Sequence, residues 1–215
     1  MQQAELGTGV RDRLLAAPGA VKVPITDFDL FVLRDFLTAA ECERLIRLID
    51  GKRKPSRLMG DNQAEGFRTS ETCNLDSRDR LVDEVEARLG ALTGIERSHG
   101  EFLQGQRYAV GQQYRPHHDY LRTDAPYWPH QEKIGGQRTW TLMVFLNVPE
   151  KGGETRFPLA GVTIPPRLGS LVAWNNLDAS GEPNAATLHQ GMPVVAGVKY
   201  ILTKWYRQRP WGVAA

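Results

Sequence analysis

The sequence predicts a mainly β fold, a sandwich or a barrel, with helices packed against it in one catalytic unit. Short strand-like segments separated by turn residues recur from about residue 101 onward, which is typical of β-sandwiches and barrels. Before that point, apolar residues recur at helical spacing. The 13 prolines and 21 glycines of the 215-residue chain match the many turns that such a fold needs.

The N-terminal part is predicted to contain a strand followed by a helix. Residues 1–25 have weak periodicity and are expected to form a loose arm or a short helix. Residues 28–37 are typical of a strand that runs into the start of a helix. Thr38 and Glu41 have the spacing of a capping box, and Gly51 is well placed to end the helix that follows.

A polar loop and a second helix are expected next. Residues 52–75 are polar and contain glycine and proline, which indicates an exposed loop. Apolar residues along one side predict a helix from residue 76 or 77 to Leu89, and Gly90 is placed to stop it.

The β-rich half is predicted to contain at least five strands. Turn residues lie between the segments, notably at 151–153 and 180–184. Strands are expected at 102–110, 141–148, 161–165, 170–174 and 199–206.

Charge and composition disfavour nucleic acid and membrane partners. The formal net charge is +2, and no run of lysine and arginine forms a patch. No stretch approaches the ~18 apolar residues that span a bilayer, and the N-terminal residues lack an apolar run of signal-peptide length. We therefore expect a cytoplasmic protein without a membrane partner. The two cysteines form no CxxC pair, which disfavours a zinc ribbon or a redox dithiol.

The segment RPHHDY places an imidazole and a carboxylate two residues apart. On an extended strand such residues point to the same side, so His117 and Asp119 share a face and His118 points away. The two groups can occupy neighbouring positions on one ion. A second imidazole would complete the two-His-one-carboxylate triad of non-haem iron(II) oxygenases. An HxD pair alone is a weak signal, because it occurs by chance in many proteins.

His189 is the expected third ligand, from a later strand. Ten residues after it, Lys199 begins the last strand, where Lys199, Ile201, Thr203 and Trp205 alternate onto one face. If that face points inward, Lys199 is a buried ammonium that requires an anion. A dicarboxylate that chelates the metal at one end would offer its other carboxylate there. The three signals together are far more specific than any one of them.

Several strings resemble the prolyl 4-hydroxylase-like family of iron(II)- and 2-oxoglutarate-dependent dioxygenases. They are RYAVGQQYRPHHDY (107–120), GGQRTWTLMVFLNVPEKGGETRFP (135–158), GSLVAWNNL (169–177) and LHQGMPVVAGVKYILTKWY (188–206). Two upstream strings fit the same pattern, FLTAAECERLI (36–46) and FRTSETCNL (67–75). The resemblance covers nearly everything from residue 28 to 207.

The resemblance implies a double-stranded β-helix, which is a jelly-roll core supported by N-terminal helices. It also implies a layout. An N-terminal arm, 1–27, would precede a single dioxygenase domain, 28–210, with helical support in 28–100 and the jelly-roll core in 101–210.

The resemblance also implies residue roles. His117, Asp119 and His189 would bind iron(II) as the catalytic metal ligands. The residues implied to bind the cosubstrate 2-oxoglutarate are Lys199, Tyr108 and Thr155. Oxygen is the second cosubstrate, and ascorbate is a further candidate cofactor.

Three residues match family positions that face the prime substrate, namely Tyr114, Arg138 and Trp205. The polar segment 52–75 and the segment 120–137 would be lids that close over a peptide. In the second lid, Trp128, Pro129 and His130 make the segment longer and more aromatic than the family pattern, which leaves the substrate less defined than the chemistry.

The implied activity is hydroxylation of a prolyl residue in a peptide or protein, with release of succinate and carbon dioxide. A free amino acid or another small molecule is the first alternative substrate, and a nucleic-acid demethylase is disfavoured by the scattered charge. An alternative from a different functional class is a non-catalytic jelly-roll module that binds metal. A zinc cupin is a further rival, although such proteins usually offer three histidines or an added glutamate at close spacing.

Overall fold

Four helices accompany the strands in the computed structural model, which describes residues 2–57 and 66–212. The helices are α1 Gln2–Ala16, α2 Ala39–Lys52, α3 Arg80–Thr93 and α4 Trp128–Lys133. Two short 3-10 turns, Arg97–His99 and Ala185–Thr187, complete the helical elements. None of the helices in the described residues has the length and apolar character needed to cross a bilayer.

Fourteen strands are found in the described residues. They are β1 Ala20–Lys22, β2 Leu30–Leu33, β3 Lys54–Pro55, β4 Glu71–Asn74, β5 Gln104–Tyr108, β6 Tyr114–His117, β7 Arg138–Phe145, β8 Lys151–Gly152, β9 Thr155–Phe157, β10 Val162–Ile164, β11 Leu171–Asn175, β12 His189–Gly191, β13 Val194–Ala196 and β14 Lys199–Arg207.

The strands form a large sheet and a small one, and the named pairings are antiparallel. The large sheet has the order β1-β2-β11-β7-β14-β5-β4-β3, and the small sheet has the order β10-β9-β12-β6. A separate ribbon joins β13 to β8. This is the jelly roll with N-terminal helices that the sequence led us to expect.

One core lies between the large sheet and helices α1 to α3. Leu14 of α1, Leu45 of α2 and Val82 of α3 are fully buried there against Leu142 and Leu202 of the central strands. Because alternate residues of a strand point to opposite faces, only every second side chain of β7 and β14 faces this core. The other positions are left to face the small sheet.

A second core fills the space between the two sheets. Phe145 and Ile201 of the large sheet pack there with Phe157 of the small sheet. On β14 the predicted alternation is confirmed, because Lys199, Ile201, Thr203 and Trp205 line one chamber between the sheets. The metal centre described below lies beside this core.

The helix boundaries differ from the expected ones at two glycines. The capping box is confirmed, since Thr38 and Glu41 each bond the other's backbone N–H. However, α2 continues through Gly51 to Lys52, and α3 continues through Gly90 until Gly94 adopts the left-handed conformation with φ 72°. Burial of the helix faces outweighs the low intrinsic preference of glycine at both positions.

The expected loop at 52–75 is wrong in part. Residues 71–74 form β4, which pairs with β5 inside the large sheet, and its Glu71 carboxylate accepts a 2.7 Å hydrogen bond from Arg107. Residues 58–65 of the predicted lid lie outside the described residues. The predicted arm also joins the fold, because β1 pairs with β2. The domain boundary at residue 28 stays a prediction.

Segment 120–137, the other predicted lid, is held at its two ends. The Gln137 side chain accepts from the Leu121 N–H at 2.5 Å and donates to the Leu121 carbonyl at 2.7 Å. Arg207 donates to the Gln131 side chain at 2.8 Å and so ties α4 to the last strand. Helix α4 was not predicted from the sequence.

Candidate metal centre

The two histidines of the predicted triad lie opposite each other in the small sheet. His117 on β6 and His189 on β12 are cross-strand partners, and their ring centroids are 4.3 Å apart. Strand β6 ends at His117, and Asp119 lies in the bend that follows. The strand is therefore shorter than we assumed, but Asp119 still points to the same side. The donor atoms of the three residues all lie within 4.8 Å of one another.

Hydrogen bonds on the far side of each ring fix which nitrogen faces the centre. Nδ1 of His117 is 2.8 Å from the Arg115 carbonyl, and Nδ1 of His189 is 3.0 Å from the Thr187 carbonyl. A carbonyl only accepts, so each Nδ1 carries a proton and each Nε2 is the nitrogen that faces the centre. Metal-binding histidines in proteins are commonly oriented in this way.

The charges at the centre suit a divalent cation. Burial, with His189 nearby, lowers the pKa of His117 well below its usual value, so the imidazole is neutral. Burial alone would raise the pKa of Asp119, but His189, His117 and Arg138 together lower it. The carboxylate oxygens lie 3.8 Å from Nε2 of His117 and 3.7 Å from Nε2 of His189, which leaves room for an ion between them.

A small inner chamber of about 40 Å³ opens from the three ligands into the space between the sheets. Lys199, Tyr108 and Thr155, the three residues implied to hold the cosubstrate, all line it. Lys199 is 1% exposed, and burial lowers its pKa to about 7. Within 2–57 and 66–212 no carboxylate forms an ion pair with Lys199, whose Nζ lies 5.4 Å from the Tyr108 ring. An anion in the chamber would satisfy this ammonium.

The wall of the chamber also contains residues that sequence reasoning missed. The Tyr108 hydroxyl donates to Gln106 at 2.7 Å, and Gln106 donates to Thr203 at 3.0 Å. Trp174 lies edge-on against His189, with ring centroids 4.9 Å apart. The sequence could have indicated Gln106, because it lies two residues from Tyr108 on the same strand and therefore shares its face.

An outer groove of about 350 Å³ lies on the other side of the ligands. It contains all three residues implied to face the substrate, and it shares Tyr114, Asp119 and Trp205 with the inner chamber. The Tyr114 ring stacks on His117 at 3.4 Å between centroids, and the Arg68 guanidinium lies 4.8 Å from the centroid of the same Tyr114 ring. Further aromatic residues line the groove, namely Phe67, Phe102, Tyr120, Tyr127 and Trp211.

Arg138 is held in place by a carboxylate at the edge of the groove. Its guanidinium forms two hydrogen bonds with Glu101, at 2.5 and 2.7 Å, and lies 4.1 Å from the Trp205 ring. Glu101 also accepts a 2.6 Å bond from the buried Arg207. The pKa of Glu101, which burial would raise, is lowered by Arg138 and Arg207. Arg138 is therefore a rigid, charge-compensated wall of the groove.

Comparisons with known proteins agree with this geometry. The family model of the 2OG-Fe(II) oxygenase superfamily matches residues 103–207. The chain is similar to Probable prolyl 4-hydroxylase 6 of Arabidopsis thaliana, with 32% identity over 206 residues that cover 85% of this chain and 70% of the relative. The chain belongs to the prolyl 4-hydroxylase-like 2OG-Fe(II) oxygenases.

Two further proteins are similar to this oxygenase. The human prolyl 4-hydroxylase subunit alpha-1 is 35% identical over 153 residues, which cover 71% of this chain but 28% of that subunit. The structure of a viral collagen prolyl hydroxylase from Paramecium Bursaria Chlorella virus-1, in a 2OG complex, superposes with a TM-score of 0.65 at 27% identity. It covers 83% of this chain and 95% of the viral one.

The donor set fits the cofactors of a 2-oxoglutarate-dependent dioxygenase. Two imidazole nitrogens and one carboxylate match the facial triad that non-haem iron(II) takes, and they leave other positions open. His117, Asp119 and His189 would hold the iron. Lys199, which lines the inner chamber, would pair with the distal carboxylate of 2-oxoglutarate. The expected iron(II) and 2-oxoglutarate dependence is thus confirmed for the family and fits the residues present.

Proposed function

We propose that this oxygenase hydroxylates a prolyl residue in a peptide or protein, with release of succinate and carbon dioxide. One observation carries the proposal. Asp119 lines both the small inner chamber and the larger outer groove, as do Tyr114 and Trp205. The ammonium of Lys199 in the first compartment suits a small dicarboxylate and the aromatic lining of the second suits an extended chain, so both would reach the same ion.

The residues of the inner chamber would bind and orient the cosubstrate. Bound iron(II), with 2-oxoglutarate and oxygen, supplies the oxidation that places a hydroxyl on an unactivated carbon. Lys199 would provide a charge-assisted bond of about 1.5–3 kcal/mol to the distal carboxylate. Thr155 is 2% exposed, and among the described residues its hydroxyl has only the Met143 sulfur, at 3.7 Å, as a partner, so it would offer its hydroxyl to the same carboxylate. The buried Tyr108 ring would exclude water beside it.

The residues of the outer groove would position the substrate. Aromatic-lined grooves bind extended proline-containing segments in several peptide-recognition modules. Tyr114 and Trp205 present rings next to the metal centre, and Arg138 offers the guanidinium that Glu101 holds. The relatives reported above are named as prolyl hydroxylases, and this supports a proline as the target.

Succinate release with a panel of substrates tests the proposal. Proline-containing peptides, the same peptides with alanine in place of proline, and free proline are incubated with iron(II) and 2-oxoglutarate. We expect succinate and a peptide mass gain of one oxygen atom only with the proline peptides. Turnover of free proline alone would favour the small-molecule alternative. No turnover by a metal-loaded protein with any of these substrates would favour a non-catalytic module.

Ascorbate and the cytoplasmic location stay predictions. For ascorbate, we propose that it sustains activity by reducing iron that has been oxidised in uncoupled cycles. The measurement is the number of turnovers per enzyme molecule with and without ascorbate at saturating peptide. An equal number in both conditions would contradict the role.

A further inference from the structure

Behind Asp119 lie two buried polar side chains that the chemistry described above does not use. Thr141 is in the middle of β7, and Asn176 directly follows β11. Both residues are 0% exposed. A buried hydroxyl and a buried amide are costly to place in a core unless they are hydrogen-bonded, so their partners indicate why they are there.

The two side chains form a chain of hydrogen bonds that ends on the carboxylate. The Thr141 hydroxyl lies 2.9 Å from Oδ2 of Asp119, and Nδ2 of Asn176 lies 2.9 Å from the Thr141 oxygen. An ionised carboxylate only accepts, so the single hydroxyl proton of Thr141 must point to Asp119. The threonine oxygen is then free only to accept, which requires the amide group of Asn176 as its donor. The charge on Asp119 thereby fixes the direction of both hydrogen bonds, from Asn176 to Thr141 and from Thr141 to Asp119. We call this pair of bonds the relay.

The relay is anchored to a rigid part of the backbone. The Asn176 N–H donates to the Thr139 carbonyl at 2.8 Å, and the Asn176 carbonyl accepts from Asn184 at 3.0 Å. Thr141 is in register with Trp174 on one neighbouring strand and Trp205 on the other. Asp119, by contrast, is in a bend beyond the end of β6, where no ladder holds its backbone.

We propose that Thr141 and Asn176 are positioning residues that hold the Asp119 carboxylate in the rotation needed for metal binding. With Oδ2 tied to Thr141, the carboxylate does not swing freely, and ligation through a single oxygen is favoured. The remaining positions of the ion then stay available to 2-oxoglutarate and oxygen. The inference rests on the proposed ligand set of His117, Asp119 and His189.

Cobalt(II) binding by the full chain tests the relay without relying on turnover. Thr141→Val keeps the shape of the side chain and removes the hydroxyl, whereas Thr141→Ser keeps the hydroxyl. We expect Thr141→Val to raise the Kd for cobalt(II) at least tenfold in titration calorimetry, since partners of metal ligands commonly contribute 10- to 100-fold. We also expect its visible absorption spectrum with cobalt(II) to change. Thr141→Ser should restore both the affinity and the spectrum.

A matched control lies on the same strand. Thr139→Val removes another buried hydroxyl of β7, which donates to the Tyr206 carbonyl at 3.2 Å and does not touch Asp119. It should leave the cobalt(II) affinity unchanged. If Thr141→Val does not fold, as judged by thermal unfolding of the metal-free protein, Thr141→Cys replaces it. The thiol is a weak donor of similar size, so its affinity should fall between those of wild type and the ligand variants.

The outcomes separate failure of the relay from failure of the metal site. His189→Ala should abolish cobalt(II) binding; if it does not, the proposed ligand set is wrong. If His189→Ala abolishes binding but a folded Thr141→Val or Thr141→Cys binds cobalt(II) with the affinity and spectrum of wild type, the relay is overturned. An equal loss in Thr141→Ser and Thr141→Val would overturn it as well.

Discussion

His117 and His189 are direct cross-strand partners, with ring centroids 4.3 Å apart, on the two strands β6 and β12 of the small sheet. Side chains opposite each other in an antiparallel pair project to the same face. The sheet ladder therefore fixes two of the three proposed ligands, and Asp119 completes the set from the adjoining bend. The metal centre is a property of strand register, because a slip of one residue would turn one imidazole away.

The first prediction concerns the ligands themselves. His117→Ala, Asp119→Ala and His189→Ala should each abolish metal binding and reduce succinate formation to background, because two remaining ligands do not hold the ion. Calorimetric titration with cobalt(II) and a succinate assay measure the two effects. His130→Ala, at an exposed position of α4, is the matched control for metal binding and should retain it. Retained turnover in any of these three variants would refute the assignment of that residue as a metal ligand.

The parts of the site that depend on local spacing could be predicted from the sequence. His117 and Asp119 are two residues apart, and the inward face of β14 follows a simple alternation from Lys199. The pairing of β6 with β12 could not be predicted from spacing, because it joins segments distant in the chain.

Other features escaped prediction for physical reasons. The polar strand β4 looked like a loop, but Glu71 is stabilised there by Arg107 across the sheet. Gly90 looked like a helix end, but burial of α3 on both sides of it continues the helix. Thr141 is one of two threonines in β7, and only the folded chain brings it to Asp119 and Asn176.

The second prediction concerns the cosubstrate. Lys199→Ala should raise the KM for 2-oxoglutarate at least tenfold while metal still binds, because it removes a charge-assisted bond worth about 1.5–3 kcal/mol. The buried Lys204 on the same strand, paired with Glu86 at 2.7 Å on the opposite face, is the control. Lys204→Met should lower the melting temperature and leave the KM for 2-oxoglutarate unchanged. An unchanged KM in Lys199→Ala would refute the assignment of Lys199.

The third prediction concerns pH. Burial lowers the pKa of Lys199 from 10.5 to about 7, so the folded chain without cosubstrate loses this proton near neutral pH. The distal carboxylate requires the protonated lysine. The Kd for 2-oxoglutarate, measured with cobalt(II)-loaded protein, should therefore rise as the pH increases above about 7 and level off below it.

The same shift affects the free energy of unfolding. Between about pH 7 and 10.5 the unfolded chain keeps the Lys199 proton that the folded chain has lost. Stability without ligand should therefore rise with pH across this window. In Lys199→Met the free energy of unfolding should rise less steeply with pH, because this group is absent. Urea unfolding at several pH values measures that slope in both proteins. Identical slopes in the two proteins would contradict the lowered pKa.

The fourth prediction concerns the capping box that begins α2. The Thr38 hydroxyl accepts from the Glu41 N–H at 3.3 Å, and the Glu41 carboxylate accepts from the Thr38 N–H at 2.8 Å. Thr38→Ala should lower the free energy of unfolding by about 1 kcal/mol, while Thr38→Ser should retain most of it. Urea unfolding measures the difference, and the KM for 2-oxoglutarate should not change. If Thr38→Ser lost as much stability as Thr38→Ala, packing of the threonine methyl group and not capping would be responsible.

The last prediction concerns an aromatic pair of the outer groove that does not line the inner chamber. Phe102 is 53% exposed and meets Trp211 edge to face, with ring centroids 4.9 Å apart. If a peptide extends along the groove, its residues remote from the target proline contact this pair. Trp211→Ala should raise the KM for a long proline-containing peptide about two- to tenfold, in line with the 0.5–1.5 kcal/mol of an aromatic pair.

A short peptide that ends near the metal centre should show no such increase, and neither should 2-oxoglutarate. Leu159→Ala removes an exposed apolar side chain that does not line the groove and serves as the control. If Trp211→Ala raised the KM for short and long peptides alike, the pair would act by shaping the groove near the metal. If it raised neither, the peptide would leave the groove before reaching Trp211.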